Sequence, residues 1–174
     1  TVEHMRALAD RDDSELREFV SKGVDNILRQ VSTLEETAKG FSDYASLRRP
    51  SFEDADLRSL LLDVGQSYGE SNTRGVKFVV EIDDSVPDEF RCDTRMLRGA
   101  LLNLVENALQ ASHEGGEVRF ASTAGDGVVT IEIEDDGPGV EPSLLPRIFD
   151  LYFSTKTTGT GLGLAISRRS VEEQ

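Results

Sequence analysis

The strongest structural signal in the chain lies in residues 134–165, where an acidic, strand-like run ends in two glycines and a short loop leads to a glycine-rich helix start. The carboxylate of Asp135 can accept a hydrogen bond from an exocyclic amine, and Gly137 and Gly139 let the backbone approach a flat ring closely. Three alternating glycines then precede the predicted helix: Gly159, Gly161 and Gly163. Their backbone N–H groups and the positive end of the helix dipole suit phosphate. The pattern therefore predicts a site for a purine nucleotide that carries a polyphosphate.

Neither glycine motif is specific when it is considered alone. A D-x-G-x-G sequence is more often a turn than a ligand site, and glycines are common at helix starts. The dinucleotide pattern of the Rossmann fold does not fit, because no strand leads directly into residues 159–163 and no acidic residue stands about 20 residues after them. The prediction therefore depends on the combination of motifs.

A third motif lies upstream, in a predicted amphipathic helix. Apolar residues recur there at helical spacing: Leu97, Leu101, Leu104 and Ala108. Asp93 is placed to cap the start of this helix, and Asn103 and Asn107, four residues apart, share one face beside the apolar stripe. An asparagine carbonyl oxygen is a hard ligand suited to Mg²⁺, which commonly keeps waters and substrate phosphates as its other ligands. Two asparagines on a helix are more often simply solvated, so this motif also depends on the others.

Four motifs together resemble the ATP-binding domain of sensor histidine kinases. N-x-x-x-N-A at 103–108, D-x-G-x-G at 135–139, F-x-x-x-F at 149–153 and G-T-G-L-G-L at 159–164 follow the order and rough spacing of its N, G1, F and G2 boxes. The resemblance covers residues 51–174, and the short lid, S-T-K-T-T, is similar to that of nitrogen-regulation kinases. It implies the α+β fold shared with gyrase, Hsp90 and MutL: a two-layer α/β sandwich, the Bergerat fold, with a mixed sheet covered by helices.

The resemblance implies roles at the adenine end of the site. Asp135 is expected to accept a hydrogen bond from the adenine amine, with help from water. Four residues are expected to line the adenine slot: Ala111, Gly137, Gly139 and Val140. Phe149 and Phe153 are expected to pack beneath the lid as its hinge.

The resemblance also implies roles at the phosphate end. Asn107 is expected to hold Mg²⁺, with Asn103 close to the metal and the phosphates. Lys156 is expected to be the lid cation that meets phosphate; the alternative is a solvated loop lysine. Backbone N–H groups of the G2 box are expected to cap the phosphates: Gly159, Thr160, Gly161, Leu162 and Gly163. Glu106 lies opposite the apolar stripe and is expected to be solvated, although an acidic residue assists the chemistry in some relatives.

The residue at position 103 distinguishes a kinase from a hydrolase. Hydrolysing members of the superfamily place a glutamate there to activate water, whereas this chain has Asn103, which cannot accept a proton at neutral pH. A MgATP site without a water-activating base suits transfer to an outside nucleophile. By resemblance, that nucleophile is a histidine of the helical bundle, and the phosphoryl group then passes to an aspartate of a response regulator.

Residues 1–50 predict a helical arm that precedes this domain. Apolar residues recur in alternating steps of four and three: Val20, Val24, Ile27, Val31, Leu34, Ala38, Phe41 and Ala45. Such a heptad seam requires a partner helix, and Pro50 marks the boundary with residues 51–174. The arm resembles the dimerisation domain of histidine kinases, which implies a homodimer through a four-helix bundle. The alternative is a helix that packs on its own domain. Residues 1–9 predict the tail of a preceding helix, and residues 10–14 a loop.

Neither histidine fits the family's phosphoacceptor, which lies in the first bundle helix before an acidic residue, with Pro, Thr or Asn a few residues further on. His4 stands in H-M-R-A-L, and His113 stands in A-S-H-E-G-G, a predicted turn. We therefore expect a fragment that binds nucleotide but cannot phosphorylate itself. The H-G-G sequence and the final strands that normally follow the last helix are also not found, which predicts a second truncation.

Charge and composition restrict the partners. The net charge is −14, from 19 Lys+Arg and 33 Asp+Glu, which argues against nucleic acid or an anionic membrane as a partner. No run of about 18 apolar residues predicts a membrane span, and no signal peptide is visible. The single cysteine, Cys92, excludes an intrachain disulfide. These features favour a cytoplasmic location, although a longer protein could be membrane-anchored. The expected partners are a second copy of the chain and a response-regulator receiver domain.

Two other interpretations remain open on the sequence. A serine kinase of the anti-sigma type shares the fold, but it lacks a coiled-coil arm of this kind and typically has no F box. A non-enzymatic module could dimerise through the arm and hold nucleotide only as a structural ligand, although the intact motifs disfavour this.

Periodicity and turn residues predict the remaining elements. They are a helix over 56–71, strands over 76–82 and 89–92, a hairpin of strands 117–122 and 128–134 around 124–127, a short helix over 142–149 and a last helix over 162–173.

Overall fold

The computed structural model describes residues 13–45, 49–69, 75–156 and 159–174. The helices are α1 (Asp13–Ala45), α2 (Leu57–Gly69), α3 (Thr94–Ala111) and α4 (Gly163–Glu172). The strands are β1 (Glu53–Asp56), β2 (Lys77–Ile82), β3 (Glu89–Cys92), β4 (Glu117–Gly125) and β5 (Val128–Asp135), and a 3₁₀ turn spans Leu145–Arg147. The predicted tail at 1–9, most of the predicted loop at 10–14, and His4 lie outside these ranges.

The main sheet is mixed and has the order β2-β4-β5. Strand β2 runs parallel to β4, and β4 runs antiparallel to β5 in the predicted hairpin. A separate antiparallel pair joins β1 to β3. The helices α2 and α3 pack on the main sheet, and α4 packs on α3. The expected α+β fold with a mixed sheet and covering helices is therefore confirmed.

The core lies between the main sheet and the helices α2 and α3. Its fully buried members are apolar: Leu57, Leu61, Val64, Val105 and Phe120 among others. Phe120 on β4 stacks on Phe78 of β2 with ring centroids 6.4 Å apart. On the opposite, solvent-exposed face of the sheet, Arg119 on β4 donates hydrogen bonds to Glu81 on β2 and to Glu134 on β5. The alternation of apolar and polar residues along β4 and β5 thus decides which face α3 covers.

Asp93 caps α3, as the sequence predicts. Its Oδ1 accepts from the backbone N–H of Met96 at 2.9 Å, and its Oδ2 accepts from the N–H of Ser51 at 2.8 Å. The carboxylate thus joins the segment before β1 to the start of α3. Because α3 carries both asparagines, this cap also helps to set their position.

Helix α1 exposes its heptad seam. Where side chains of α1 are described (residues 17–32, 34 and 35), all are exposed, and these include Val20, Val24, Ile27, Val31 and Leu34. The seam residues Ala38, Phe41 and Ala45 lie outside the described side chains. Across the described parts of the chain, no helix has the length and apolar character needed to cross a membrane.

The structure differs from the sequence-based prediction in three elements. The helix expected at 142–149 is wrong: backbone bonds from Leu144 to Glu141, from Arg147 to Leu144 and from Asp150 to Arg147 form successive three-residue turns. Pro146 has no N–H to donate to an α-helical ladder at this point. Strand β1, with the sequence E-D-A-D, is not predicted because it lacks an apolar alternation, and it forms by pairing with β3. Helix α2 consequently begins at Leu57, after Asp56 accepts from the backbone N–H of Ser59 at 2.8 Å.

Candidate nucleotide site

Strand β5 ends at Asp135, at the edge of the predicted adenine slot. Asp135 lies opposite Val118 in the register of β4 and β5, and its side chain is exposed. Its Oδ1 accepts from the backbone N–H of Gly137 at 2.9 Å, which closes a tight turn. Among the described residues, no protein donor forms a hydrogen bond to the other carboxylate oxygen. One oxygen therefore holds the loop in place while the other is available to a ligand amine.

Gly137 is packed too closely for any side chain. A Cβ at this position would lie 2.6 Å from the carbonyl oxygen of Ala111 and 2.6 Å from Oδ1 of Asp135. The glycine thus lets the loop after β5 lie against the last residue of α3. Three residues predicted at the adenine end of the site therefore meet here: Ala111, Asp135 and Gly137. Gly139 has a positive φ of 71°, and Val140 is half exposed, so the Val140 side chain is accessible to a ligand.

Asn103 joins α3 to the start of α4. Its Nδ2 donates to Oγ of Ser167 at 2.8 Å, and a Cβ on Gly163 would collide with the Asn103 amide, most closely with Oδ1. Gly163 is the first residue of α4. The N and G2 boxes, which are sixty residues apart in the numbering, are therefore in direct contact.

Asn107 lies one turn further along α3 and already interacts with a cationic group. The ammonium of Lys156 donates to Oδ1 of Asn107 at 2.9 Å and to Oε1 of Gln110 at 2.6 Å. Partial burial lowers the pKa of Lys156, and the nearby carboxylate of Glu106 opposes that shift. Glu106 itself is exposed, as expected. The lid lysine therefore binds the amide oxygen that the sequence assigns to Mg²⁺.

The G2 turn packs on the backbone of the F box. Gly161 has a φ of 68°, and a Cβ there would collide with the backbone of Tyr152 and Phe153. Tyr152 also has a positive φ, 66°, which is unusual for a large side chain, and its N–H donates to the carbonyl oxygen of Gly161 at 2.9 Å. This contact positions the start of α4.

Each of the two F-box phenylalanines lies beside an arginine side chain. Phe149 is 40% exposed, and the guanidinium of Arg168 lies 5.6 Å from its ring centroid. Phe153 is half-buried, with the guanidinium of Arg147 at 4.8 Å. Each ring thus has a guanidinium within the range of a cation–π contact. The expectation that the two rings act as the hinge beneath the lid stays a prediction.

The expected phosphate-capping N–H groups are only partly available in this arrangement. The N–H of Gly159 donates to the carbonyl oxygen of Lys156 at 3.3 Å, and the N–H of Leu162 donates to Oγ1 of Thr160 at 3.4 Å. Both bonds are long and therefore weak, so phosphate could replace them. The Leu162 side chain is fully buried and anchors the turn. The lid residues 157 and 158 lie outside the described ranges.

Sequence reasoning did not single out four residues that contact the site: Gln110, Arg147, Ser167 and Arg168. For Ser167 a signal was available, because it stands four residues after Gly163 and so shares its helix face. Gln110 stands on the face of Glu106, one turn on. Arg168 had no sequence signal, since its partner ring, Phe149, comes from a separate segment. Arg147 stands close in sequence to its partner, Phe153, but no helix or strand periodicity relates the two.

Comparisons with known proteins show the family of the chain. The family model for histidine kinase-, DNA gyrase B-, and HSP90-like ATPases matches residues 92–174. The sensor histidine kinase ZraS of Escherichia coli K12 is 31% identical over 169 residues, which are 97% of this chain and 35% of ZraS. The catalytic domain of histidine kinase ThkA has a TM-score of 0.64 and 31% identity, with 70% of this chain and 80% of that chain covered.

A longer ThkA structure, in complex with the response regulator protein TrrA, has a TM-score of 0.72 and 25% identity and covers 97% of this chain and 47% of that chain. The chain therefore belongs to the sensor histidine kinase family, in which it represents the ATP-binding kinase domain. The chain spans only 35% of the length of ZraS and 24% of the length of a second relative, the signal transduction histidine-protein kinase AtoS of Escherichia coli K12.

Proposed function

We propose that the chain binds MgATP along α3 and transfers the γ-phosphoryl group to a histidine of a helical bundle. The main support comes from α3, which reaches both ends of the site: Ala111 lies against Gly137, and Asn103 lies against Gly163. These two α3 residues are eight positions apart, or about 12 Å along a helix axis. One elongated ligand can therefore contact both glycine motifs at once.

Asp135 would select the base. Its outward carboxylate oxygen suits the amine of adenine, whereas guanine places a carbonyl oxygen at the equivalent ring position, where two acceptors would repel. The ring would lie against four residues: Ala111, Gly137, Gly139 and Val140. We therefore infer a preference for ATP over GTP.

The phosphate end suits Mg²⁺. Across the described residues, no group of three or more His, Cys, Asp or Glu side chains could hold a metal, so amide oxygens and the nucleotide phosphates would supply the ligands. Asn107 fits this role because its Oδ1 already accepts from a cation, the ammonium of Lys156. Asn107 would hold the metal, with Asn103 nearby, and the bound metal would neutralise phosphate charge. Lys156 would then be displaced toward phosphate.

The transfer step follows from the amide at position 103. Asn103 cannot deprotonate water, and its Nδ2 is already bonded to Ser167. An imidazole nitrogen would form a bond to the γ-phosphorus while the bond from that phosphorus to the bridging oxygen breaks. The electron pair of the broken bond would stay on the bridging oxygen and leave with ADP. A second transfer would pass the phosphoryl group to an aspartate of a response regulator, the class of partner present in the ThkA complex.

The helical arm would supply dimerisation, with a division near Pro50 between the arm and the ATP-binding domain. The exposed valine, isoleucine and leucine side chains of α1 would pack against a second copy in a bundle. Neither histidine in the chain matches the acceptor. We expect labelled ATP to leave no stable label on His4 or His113, and a stable label on either would overturn this expectation.

Calorimetric titration with ADP and ATP, with and without Mg²⁺, tests the site. We expect saturable binding near one equivalent for the unmodified chain and a loss of about 10–100-fold in affinity for Asp135→Asn, since the amide leaves a ligand amine poorly paired. Asp136→Asn is the matched control, because this neighbouring carboxylate instead accepts from the N–H of Glu117 at 3.2 Å. An equal loss in both variants, or no binding at all, would contradict the proposed nucleotide site.

A second assay distinguishes a kinase from a module that only holds nucleotide. The chain is mixed with a separately prepared bundle domain from a related kinase and labelled ATP. Transfer of label to the acceptor histidine, lost in Asp135→Asn and kept in Asp136→Asn, is the expected result. Normal ATP binding without any transfer to several acceptor domains would favour the structural role.

A further inference from the structure

We propose that Ser167 is a positioning residue that orients the side-chain amide of Asn103, so that the Asn103 carbonyl oxygen faces the glycine-rich start of α4. The proposal rests on the proposed function, because that start of α4 is the expected phosphate and metal end of the site. It adds a residue outside all four sequence motifs.

The contact is buried and specific. Ser167 is only 2% exposed, and its Oγ receives a hydrogen bond from Nδ2 of Asn103 at 2.8 Å. The same hydroxyl donates to the backbone carbonyl oxygen of Ala100 at 3.4 Å. Ser167 therefore connects α4 to two positions on α3.

The carbonyl of Ala100 favours one direction of the Asn103 bond, although its own 3.4 Å contact with Ser167 is long. A serine hydroxyl has one proton to donate and lone pairs to accept with. Because a backbone carbonyl can only accept, the Ser167 proton is directed at Ala100, and Oγ can then only accept from Asn103. The amide must present its NH₂ group to Ser167, which leaves its oxygen on the other side.

Gly163 packs against this amide and lies nearest to its oxygen. Of the Asn103 side-chain atoms, Oδ1 is the nearest to the position that a Cβ on Gly163 would occupy, with Cγ and Nδ2 each 3.0 Å away. The missing side chain lets the amide lie directly on the first residue of α4. The oxygen is thus held at the end of α4 where phosphates and a cation are expected.

An unrestrained amide could rotate by 180° and present NH₂ groups at this position. Such donors would repel a divalent cation but would still interact with phosphate. Loss of the Ser167 hydroxyl should therefore weaken the part of nucleotide binding that depends on Mg²⁺ more than the part that does not. A purely structural role would weaken both equally.

The test compares Ser167→Ala with Ser170→Ala in the full chain. Ser170 is a matched control, since it lies in α4 and is equally buried, at 2%, but has no hydrogen bond to Asn103 among the contacts of the described residues. The dissociation constant for ADP is measured with Mg²⁺ and with EDTA. The Mg²⁺ ratio is the dissociation constant in EDTA divided by the dissociation constant with Mg²⁺. We expect this ratio to fall about fivefold in Ser167→Ala, the effect of one hydrogen bond, and to stay unchanged in Ser170→Ala.

A double-mutant cycle tests the orientation itself. In Asn103→Asp both ends of the side chain are oxygens, so rotation no longer changes what faces the metal. In that background Ser167→Ala should leave the Mg²⁺ ratio unchanged, whereas a cavity or a folding defect would act in both backgrounds. The same fivefold loss in both backgrounds would overturn the proposal.

A measurement without nucleotide separates the two proposals. In the NMR spectrum of the free chain, the side-chain NH₂ signals of Asn103 should be protected from exchange, and this protection should disappear in Ser167→Ala only. Absence of protection in the unmodified chain would overturn the role of Ser167 even if nucleotide binds. Protected signals with no nucleotide binding would instead overturn the proposed function and, with it, the effect on Mg²⁺.

Discussion

Helices α1 and α3 carry similar apolar stripes but differ in what covers them. In α3, Leu101 and Val105 are 3% and 0% exposed, whereas Ile27 and Leu34 of α1 are 62% and 68% exposed. The sheet and α2 of the same chain cover α3. An apolar stripe therefore shows that a helix requires a partner, but it does not show whether that partner belongs to the same chain.

The largest expected effect comes from the same substitution made in each region. Leu101→Ala, in α3, should lower the free energy of unfolding by about 2–5 kcal/mol, because it removes buried methyl groups and leaves a cavity. Leu34→Ala, in the exposed seam, should leave the unfolding of the ATP-binding domain almost unchanged at low protein concentration. Urea unfolding of both variants measures the difference, and an equal loss would show that α1 packs on its own domain.

A charge in the heptad seam of α1 should weaken dimerisation rather than change the free energy of unfolding of the domain. Ile27→Lys places an ammonium in the predicted dimer interface, and the dimer dissociation constant should rise by at least about tenfold. Asn26→Lys adds the same charge one residue away, outside the seam, and is the control. Sedimentation equilibrium of both variants is the measurement, and a monomeric unmodified chain would refute the expected bundle.

The cap of α3 should make its stability depend on pH. Burial by itself raises the pKa of Asp93, but N–H donors from Ser51 and Met96 outweigh it, and the net pKa lies below its usual value. The stabilisation is therefore complete above the ordinary aspartate pKa of about 3.9 and is lost as the pH falls through the lower folded value.

Asp93→Asn keeps a capping side chain without the titrating carboxylate, so its urea midpoint should vary less across that acidic range. Asp93→Ala should lower the free energy of unfolding by about 1 kcal/mol at neutral pH, because the helix cap is lost. Equal acid sensitivity of the unmodified chain and Asp93→Asn would show that other carboxylates dominate acid unfolding.

The smallest effect is expected on the surface of α1. Lys22 donates to Glu18 at 2.6 Å in an exposed pair one turn apart, and water and salt screen such pairs strongly. Lys22→Gln should leave the melting temperature of the ATP-binding domain unchanged and only slightly reduce the helix signal by circular dichroism at low salt. A clear loss of domain stability would mean that α1 and the domain unfold together.

Sequence reasoning located most of the elements because their signals are local. The hairpin of β4 and β5 follows from alternating residues around the turn at Asp126 and Gly127, and α3 follows from its stripe and the Asp93 cap. The two elements that sequence reasoning missed or mispredicted have physical explanations as well. β1 has no pattern of its own and exists through pairing with β3, while the segment around Pro146 has helix-compatible residues but bonds in three-residue turns.

For the site, the types of residue were predictable and most of their contacts were not. The chain order of Asn103, Asn107, Asp135 and the glycines shows which chemistry is present. The bond from Lys156 to Asn107 and the placement of Arg168 over Phe149 depend on segments that are far apart in sequence. Periodicity carries no information about such pairs, since it describes only neighbours along one helix or strand.

The amino-acid sequence by itself predicted a nucleotide site and pointed to the family of this chain, because both depend on which functional groups are present and on their local spacing. Only the tertiary structure decided how the groups are oriented. The packing of α4 on α3 directs the Asn103 amide toward Gly163 through Ser167. A hydrogen-bond direction of this kind is set by a third group, here the carbonyl of Ala100, which only the fold brings into reach.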